Sequence, residues 1–369
     1  MDKNKLRVRK FLALFLALSL VLTGCSFNNV ITDKVTSGEV SSDGQNIQQK
    51  KGGDLEIHFI DVGQGSSALI ESNSHFMLVD GGDSKYSSRV VSYLEDQDVD
   101  KLDYVIATHY DADHLNGVVG ALNSYDAEVV IAPDYKAKSK VYQSFIDVLD
   151  SKNIDITYPK TGTKYKIGNA EFTILAPNDT HYSDANDYSV AIKLVNGSNT
   201  FIMTGDAEIE SEYEMLETGI DLSCDVYMAG HHGSKSSSSQ AFMQAMQPAS
   251  VVISVGKNNK YRHPSDEAMA RFNAMGCDIY RTDELGDIIA VSDGKTIKFN
   301  TKASKKGTGK KKGSTSSKSG NNYIGNVNSK KFHKKACSSL PDEENMVYFG
   351  TINEAEDAGY EPCGICNPE

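Results

Sequence analysis

Residues 108–114 hold two histidines and two aspartates within six consecutive positions, directly after the apolar residues 105–107. An apolar run of this kind predicts a buried strand, and polar residues where a strand gives way to a loop often form sites held by a rigid scaffold. Clustered buried charges are costly unless they are paired or coordinate a metal. A solvated acidic turn is the alternative. The candidate ligands of one or two cations are His109, Asp111, Asp113 and His114.

Two later strand ends carry further ligand types. Asp206 closes an apolar run, where it is a second candidate metal ligand or, alternatively, a helix cap. His231 and His232 stand between two glycines after another apolar run, and burying both imidazoles in such a bend would require two partners. Neighbours on an extended chain point in opposite directions, so one histidine is expected to bind metal and the other to support a ligand or donate a proton. We assign metal binding to His231 and proton donation to His232, although the sequence leaves the order open.

Two more motifs accompany these ligands. Asp80 ends a predicted strand before two glycines, which fits a group that supports the metal loop, although Asp-Gly is also an ordinary turn. Arg262 and His263 belong to a basic aromatic loop, Tyr261-Arg262-His263-Pro264, ahead of a predicted helix. They are candidates to hold an anionic substrate, and surface polarity at a helix start is the alternative.

The rest of residues 54–300 must position these side chains. Alternating apolar residues predict strands, and helical spacing predicts helices between them. Three strands around Asn196-Gly197 indicate an antiparallel meander. We therefore predict an α/β protein with two mixed sheets covered by helices, an αββα sandwich. The predicted strands are 54–61, 68–71, 75–79, 102–107, 128–132, 154–158, 171–176, 188–195, 200–204, 224–229, 251–255, 277–281 and 287–291, and the predicted helices are 87–97, 140–149, 208–216 and 267–275.

Residues 323–369 contain a separate set of ligand types. A histidine and a cysteine four apart, and two cysteines three apart, enclose 25 residues, which is the spacing of a zinc site with one imidazole and three thiolates. A segment of roughly 45 residues has little core, so a metal would stabilise it. One disulfide with a spare thiol is the alternative, because export favours oxidation. The four candidate zinc ligands are His333, Cys337, Cys363 and Cys366.

The first 25 residues have the features of an export signal. Basic residues between Lys3 and Lys10 precede the apolar run 11–22, which is too short to span a bilayer comfortably. The run ends in Leu22-Thr23-Gly24-Cys25, which resembles the bacterial lipoprotein processing box. The resemblance implies that Cys25 is lipidated and that the protein is anchored outside the cytoplasm; a plain amino-terminal anchor is the alternative. Residues 26–53 are rich in small polar residues and predict a flexible stalk.

Charge is unevenly distributed along the chain. The formal net charge of −12 argues against an overall basic coat for nucleic acid, yet residues 294–341 contain thirteen lysines and no acid. Within this stretch, residues 301–322 are dominated by Lys, Gly and Ser and predict a flexible cationic linker. Lysines of this kind usually belong to a solvated tether, but they leave open a local contact with a polyanion.

Six motifs in one order give residues 54–300 a family resemblance. The segment resembles the metallo-β-lactamase superfamily, specifically the soluble hydrolase domain of ComEC-type DNA-internalisation competence proteins. Residues 323–369 resemble the small Ada-type metal-binding module that ends some secreted nucleases. The six motifs are Asp61-Val62-Gly63-Gln64-Gly65, Asp80-Gly81-Gly82, His109-x-Asp111-x-Asp113-His114, Thr204-Gly205-Asp206, His231-His232-Gly233-Ser234 and Tyr261-Arg262-His263-Pro264.

The resemblance implies a two-metal centre. His109 and Asp111 would serve one ion, Asp113 and His114 the other, Asp206 would bridge them, and His231 or His232 would complete the second site. The usual second histidine of the superfamily is Asp111 here, and its middle histidine has no clear counterpart. The residues that could stand in for the latter are His181, Asn186 and Asp187. Carboxylates in place of imidazoles make the site harder, so manganese competes with zinc.

Together these features predict an extracytoplasmic, lipid-anchored, metal-dependent hydrolase. Paired cations polarise a phosphoryl oxygen and ionise a water near neutral pH, and the resemblance implies DNA as the substrate in a competence-like role. In this mechanism Asp113 holds the metal centre, Arg262 or His263 stabilises the developing charge, and His232 protonates the leaving oxygen. Hydrolysis of a small ester, lactone or lactam by the same fold, and non-catalytic DNA binding by a lipoprotein, are the alternatives.

Overall fold

A computed structural model describes residues 55–307 and 323–368, apart from residues 336, 342–344, 350–351 and 358–359. The predicted signal segment, the predicted stalk, the predicted lipidation site Cys25 and most of the predicted linker lie outside the described residues. Residues 301–307, the first part of the predicted linker, are described, and Lys305 forms a β-bridge with Ile279. Within the described chain, no helix combines the length and apolarity needed to cross a membrane.

The described residues form strands and helices in alternation. The strands are β1 (Leu55–Phe59), β2 (Ala68–Ser72), β3 (His75–Val79), β4 (Leu102–Ile106), β5 (Ala127–Ile131), β6 (Ile156–Thr157), β7 (Lys164–Ile167), β8 (Ala170–Ala176), β9 (Ala191–Asn196), β10 (Asn199–Met203), β11 (Val226–Met228), β12 (Ser250–Ile253), β13 (Asp278–Arg281), β14 (Ile288–Ser292), β15 (Ile297–Phe299), β16 (Tyr323–Asn326), β17 (Lys331–Lys334), β18 (Met346–Phe349) and β19 (Glu361–Pro362). The helices are α1 (Ser87–Asp96), α2 (Ala112–Ser124), α3 (Lys140–Lys152), α4 (Ile209–Glu217), α5 (Gln240–Met246), α6 (Asp266–Met275), α7 (Thr282–Leu285) and α8 (Ile352–Asp357).

Two mixed sheets build the large domain, as predicted. The first has the strand order β15-β14-β1-β2-β3-β4-β5-β6, and the second has the order β13-β12-β11-β10-β9-β8-β7. Their facing sides form one apolar core that includes Ile57, Phe172 and Val252. Separate apolar clusters pack α1, α2 and α3 on the first sheet and α4, α5 and α6 on the second. The result is a four-layer αββα sandwich.

Helix α2 is the main departure from the predicted elements. The sequence placed the ligands at 109–114 in a loop, but Asp111 occupies the N-cap position and Ala112 starts the helix, so Asp113 and His114 lie in its first turn. The apolar residues Leu115, Val118 and Leu122 recur at helical spacing and are buried. The helix lies so close to the loop after β3 that a Cβ on Gly117 would lie 1.8 Å from the Gly81 carbonyl oxygen.

A buried carboxyl joins the segments on either side of the paired histidines. Glu212 in α4 is fully buried and accepts hydrogen bonds from the backbone amides of Ser238 and Ser239, which precede α5. Burial raises its pKa to about 7, because the apolar surroundings disfavour the charged form more than the amide donors favour it. The folded protein therefore retains this proton at a pH where the unfolded chain has released it.

This shift predicts a pH-dependent stability. Between about pH 4.5 and 7 the folded state binds more protons than the unfolded state, so the free energy of unfolding should fall with rising pH by about 3 kcal/mol through this group alone. Glu212→Gln removes the titration. Denaturant unfolding at pH 4.5 and 7.5 should show that the stability difference, wild type minus variant, decreases across the interval; a constant difference would rule out a raised pKa.

Candidate metal centre

The carboxyl ends of parallel strands from both sheets meet at one place. Asp80 follows β3 and His109 follows the adjacent parallel strand β4 in the first sheet. In the second sheet the neighbouring parallel strands β10 and β11 precede Asp206 and His232. The two edges interlock, since a Cβ on Gly205 would lie 2.6 Å from the Cβ of Thr108. Ligands far apart in sequence thus meet in one buried cluster.

His114 is held by a carboxylate on its outer side. Its Nδ1 lies 2.8 Å from Asp80 Oδ2, and both residues are fully buried. Asp80 is fixed in turn by the amide of Thr108 at 2.9 Å and by the Thr108 hydroxyl at 2.8 Å. An ionised carboxylate only accepts hydrogen bonds, so Nδ1 carries the imidazole proton and Nε2 presents a lone pair. A carboxylate that orients a histidine in this way is typical of metal sites.

Two more imidazoles also carry their proton on Nδ1. His232 Nδ1 lies 2.9 Å from the carbonyl oxygen of Ser254, to which it must donate. His109 Nδ1 lies 3.1 Å from the Thr108 hydroxyl, whose own hydrogen is committed to Asp80, so His109 donates here as well. His109 Nε2 is buried and has no hydrogen-bond partner among the described residues. All three histidines therefore present an Nε2 lone pair to the interior.

In their neutral form, the form that binds a metal, these three imidazoles leave no proton between the converging lone pairs. His114 Nε2 lies 3.3 Å from His232 Nε2 and 3.1 Å from Asp206 Oδ1, and His232 Nε2 lies 3.5 Å from Asp113 Oδ2. Acceptors this close repel one another, and burial prevents water from relieving the repulsion. A divalent cation satisfies them all at once, and imidazole and carboxylate donors suit zinc and manganese. The residues present fit a metal centre.

The pKa shifts within the cluster also indicate a site that favours a cation. Burial opposes protonation of His114, but Asp206 and Asp80 raise its pKa well above the usual value. Burial likewise opposes ionisation of Asp206, but His114 and His232 hold its pKa well below the usual range. Burial and the neighbouring His114 lower the pKa of His109. The negative carboxylates therefore favour a positive charge in the middle of the site, which a proton on His114 supplies without metal and a divalent cation would supply in its place.

Two overlapping sets of ligand atoms share His114. One set is His109, His114 and Asp206, and the other is Asp113, His114 and His232. An imidazole nitrogen has one lone pair and serves one ion, whereas the two oxygens of Asp206 can serve two. Its Oδ1 faces His114 at 3.1 Å and its Oδ2 faces His232 at 3.6 Å, so Asp206 would have an oxygen for each ion if two were bound.

The structure places His232, rather than His231, within a set of ligand atoms. His232 is buried among the ligands, whereas His231 lies in neither ligand set, and its Nδ1 contacts Glu208 at 3.0 Å. Both residues have left-handed backbone conformations, with φ of 48° and 55°, rather than the extended conformation that the prediction assumed. His231 Nε2 stays 3.7 Å from Asp206 Oδ2, at the edge of the site.

Other predicted residues lie outside the ligand sets. Asp111 is exposed and makes no side-chain capping bond. Among the suggested replacements for the middle histidine, His181 is exposed, and the buried Asp187 accepts the amides of Glu208 and Ser211 at the start of α4. Asn186 donates weakly to Glu208 at 3.4 Å. None of the three residues joins the described metal groups.

Arg262 and His263 flank the centre on a rigid loop. The side chain of Asn259 accepts from the His263 amide at 2.9 Å and donates to the carbonyls of Gly256 and His263. The His263 ring lies 5.6 Å from that of His231. Burial and the nearby His231 lower the pKa of His263 to about 4, so this imidazole is neutral near pH 7. A cavity of about 550 Å³ opens beside it, bordered by Lys257 and Arg262.

Three supporting groups escaped the sequence analysis. Ser189 is buried, and its hydroxyl accepts from the Asp206 amide at 3.1 Å. The Ser254 carbonyl orients His232, and Glu208 orients His231. A backbone carbonyl gives no sequence signal, and a buried serine gives little. The sequence does carry a signal for Glu208 as a supporting group, because this carboxylate lies two residues after Asp206 at the end of the same strand.

The carboxy-terminal residues form a second cluster of metal ligands. His333, Cys337, Cys363 and Cys366 bring their ligand atoms within 4.8 Å of one another, and the three cysteines are free thiols. The amide of Lys334 points at Cys366 Sγ and that of Ile365 at Cys363 Sγ, both at 3.4 Å. Burial opposes ionisation of Cys363, but amide donors lower its pKa overall. This arrangement fits structural zinc rather than a disulfide.

Comparison with known proteins supports both sites. A model of the Metallo-beta-lactamase superfamily matches residues 60–257, more than half of the 369 residues. The chain belongs to the metallo-beta-lactamase superfamily. The sandwich and its buried His/Asp site are consistent with a metal-dependent hydrolase of this superfamily. A model of the Metal binding domain of Ada matches residues 314–369, which include the Cys/His cluster.

Several curated proteins are similar to this member of the superfamily. ComE operon protein 3 of Bacillus subtilis (strain 168) is 27% identical over an alignment of 251 residues, and the match covers 63% of this chain and 32% of that protein. Competence protein ComA of Neisseria gonorrhoeae is 27% identical over 228 residues, 61% of this chain and 30% of that protein. The chain thus spans about a third of the length of these relatives. The solved metallo-beta-lactamase fold protein YhfI from Bacillus subtilis is 14% identical, with a TM-score of 0.45, and the match covers 65% of this chain and 100% of that one.

The role of Asp80 predicts an effect on metal affinity without direct ligation. Asp80→Asn keeps the shape of the side chain but weakens the acceptor that holds His114, so we expect the affinity for the divalent ions to fall about 10–100-fold with the fold retained. Competition titration with a metal indicator measures the affinity of each variant for the divalent ion. Asp83→Asn is the matched control, because Asp83 lies in the same loop but accepts from the Ser84 hydroxyl instead of a histidine. Equal affinities for both variants would contradict the assigned tautomer.

Proposed function

We propose that this protein is a metal-dependent phosphodiesterase that cleaves DNA at the outer face of the membrane, to which Cys25 anchors it by lipid. The observation that carries the proposal is the convergence of Nε2 lone pairs from His109, His114 and His232 on the Asp206 carboxylate. A basic loop beside this cluster supports a polyanionic substrate. The relation to competence proteins supports DNA as that polyanion.

The ligand sets would hold two divalent ions, which polarise a phosphoryl oxygen and lower the pKa of a water when bound. The exposure of the ligand side chains indicates from which side substrate and water can reach these ions. The side chain of Asp113 is 26% exposed, whereas that of His232 is 3% exposed, so Asp113 marks the side from which substrate and water arrive. His232, His109 and His114 form the closed floor of the site. The scissile phosphate therefore approaches over Asp113.

The basic loop is suited to bind phosphate next to the scissile bond. Lys257 and Arg262 are exposed and border the same cavity, while Arg281 in that cavity is neutralised by Asp283 at 2.7 Å. His263 is neutral near pH 7 and cannot supply charge. Among the described residues that border this cavity, Lys257 and Arg262 are left as the free cations. We assign to Arg262, whose guanidinium can contact two phosphate oxygens at once, the stabilisation of the negative charge that develops there.

His231 is placed to move a proton. Burial opposes its protonation, but Glu208 at 3.0 Å raises the pKa of His231 overall. Its Nδ1 is engaged by the carboxylate, so Nε2 is the atom that faces the site and can donate. We assign to His231 the protonation of the leaving oxygen after the phosphorus–oxygen bond breaks.

The proposal predicts that Asp113→Ala abolishes cleavage. This change removes an oxygen ligand from the open side of the centre, and we expect a loss of about 100-fold or more in kcat/KM for linear DNA and for a chromogenic phosphodiester, with zinc and manganese supplied separately. Circular dichroism checks that the fold is kept. Asp126→Ala, a carboxylate 92% exposed beyond the same helix, is the control.

Two results would overturn the proposal. Cleavage by Asp113→Ala at the wild-type rate would remove the centre from the reaction. Hydrolysis of nitrocefin, but of no phosphodiester, by the wild type would assign the same ions to a small-molecule substrate.

A further inference from the structure

A second cavity lies beside the metal centre and has no role in the proposed function. Its volume is about 430 Å³, within the range of small-ligand pockets of about 300–1,000 Å³. Tyr158 and Tyr188 border it together with Pro159 and Pro177, so much of its wall is flat apolar surface. Tyr158 is 53% exposed, so its ring is accessible to a ligand in the cavity.

Hydrogen bonds and ring contacts hold the Tyr188 side of this cavity in place. The Tyr188 hydroxyl accepts from the Tyr182 amide at 3.1 Å and donates to the Thr180 carbonyl at 3.2 Å. The Tyr188 ring packs on Tyr135 at 4.5 Å and edge-on against Tyr182 at 4.9 Å. The Tyr182 hydroxyl in turn accepts from the amide of Asp179 at 2.8 Å. A ring fixed in this way loses little conformational freedom when a flat ligand stacks on it.

Short connections join the cavity to the metal centre. Tyr188 immediately precedes Ser189, whose hydroxyl accepts the Asp206 amide. The Tyr135 hydroxyl, next in the ring stack, accepts from the amide of Tyr110 at 3.1 Å, and Tyr110 directly follows the ligand His109. The basic loop contacts the centre elsewhere, through His263 and His231. The cavity and the loop therefore adjoin the metal centre through different elements.

The polar groups of the cavity suit the edge of a heterocycle. Lys160 and Asp134 border it and are exposed, and neither forms an ion pair within the described part of the chain. They offer a donor and an acceptor near flat apolar faces. Aromatic faces with a few polar edge groups are the chemistry that recognises nucleobases in single strands, where the bases are free to leave the stack.

We propose that this cavity is a nucleobase subsite in which Tyr158 and Tyr188 stack a base of single-stranded DNA next to the scissile phosphate. The inference rests on the proposed function, since it names the strand form that the metal centre acts on. A base in a duplex stays stacked on its neighbours and cannot enter. The neighbouring phosphate of the strand, on the side of the scissile phosphate away from this base, then lies against the basic loop with Lys257 and Arg262.

Binding to a strand that is not cleaved tests the subsite. The full chain carrying Asp113→Ala is titrated into a single-stranded oligonucleotide containing 2-aminopurine, whose fluorescence reports stacking. Adding Tyr158→Ala should raise the dissociation constant about tenfold, equivalent to a loss of about 1.4 kcal/mol of binding free energy, and abolish the fluorescence change. Tyr158→Phe, which retains the ring, should bind like the parent. An oligonucleotide with abasic positions should bind the parent and Tyr158→Ala alike.

The outcomes separate the subsite from the reaction. Unchanged binding by Tyr158→Ala, an equal loss on the abasic strand, or no binding by the parent would overturn the subsite. If wild type cleaves DNA while Tyr158→Ala changes neither binding nor KM, the subsite fails and the phosphodiesterase stands. If the stacking signal depends on Tyr158 but wild type cleaves no phosphodiester, the subsite stands and the proposed reaction fails.

Discussion

Three buried histidines have their protons fixed on the outer nitrogen, and this constraint shapes the whole large domain. His114 donates to Asp80, His232 to the Ser254 carbonyl and His109 to the Thr108 hydroxyl, so each Nε2 is left as an acceptor facing the others. Lone pairs held at such distances in a dry interior are unfavourable unless a cation joins them. Because only the folded chain assembles them, binding of the ions contributes directly to folding stability.

The cluster also joins the two sheets. Asp80, His109 and His114 belong to the first sheet and its helix α2, whereas Asp206 and His232 belong to the second. Each ion that binds between them crosslinks layers that are otherwise held mainly by apolar packing at this end of the sandwich. The parallel arrangement of β3 with β4 and of β10 with β11 places these strand exits side by side. Fold and site are thus consequences of the same strand order.

Local patterns in the sequence predicted most of the strands, because side chains alternate between core and exterior. The helix α2 was missed, since Gly117 and Gly120 weaken its helical signal; these glycines are needed for close contacts with Gly81 and Ser87 that no local pattern reveals. The exchange between His231 and His232 has a similar cause. The sequence indicated a bend there, but the left-handed conformation that turns His232 inward depends on packing around the strand exit.

The ligand types themselves were readable from the sequence, because two imidazoles and two carboxylates in so short a segment after a buried strand favour a metal site. The sequence suggested Asp80 as a supporting group, but it could not supply the other partners of the ligands. The Ser254 carbonyl and the Ser189 hydroxyl act through position alone, and Asp111, which resembles a ligand by spacing, is exposed. Only the fold shows which of the candidate side chains face the metal centre and which, like Asp111, face the solvent.

The most direct measurement of the central claim is anomalous diffraction from crystals of the full chain grown with manganese or zinc, with data collected at the absorption edge of each metal. We expect peaks among His109, His114, Asp113, Asp206 and His232, and a separate zinc peak within the Cys/His cluster. Anomalous density confined to the Cys/His cluster, with the three Nε2 atoms of the large domain bonded to water or protons instead, would contradict the account.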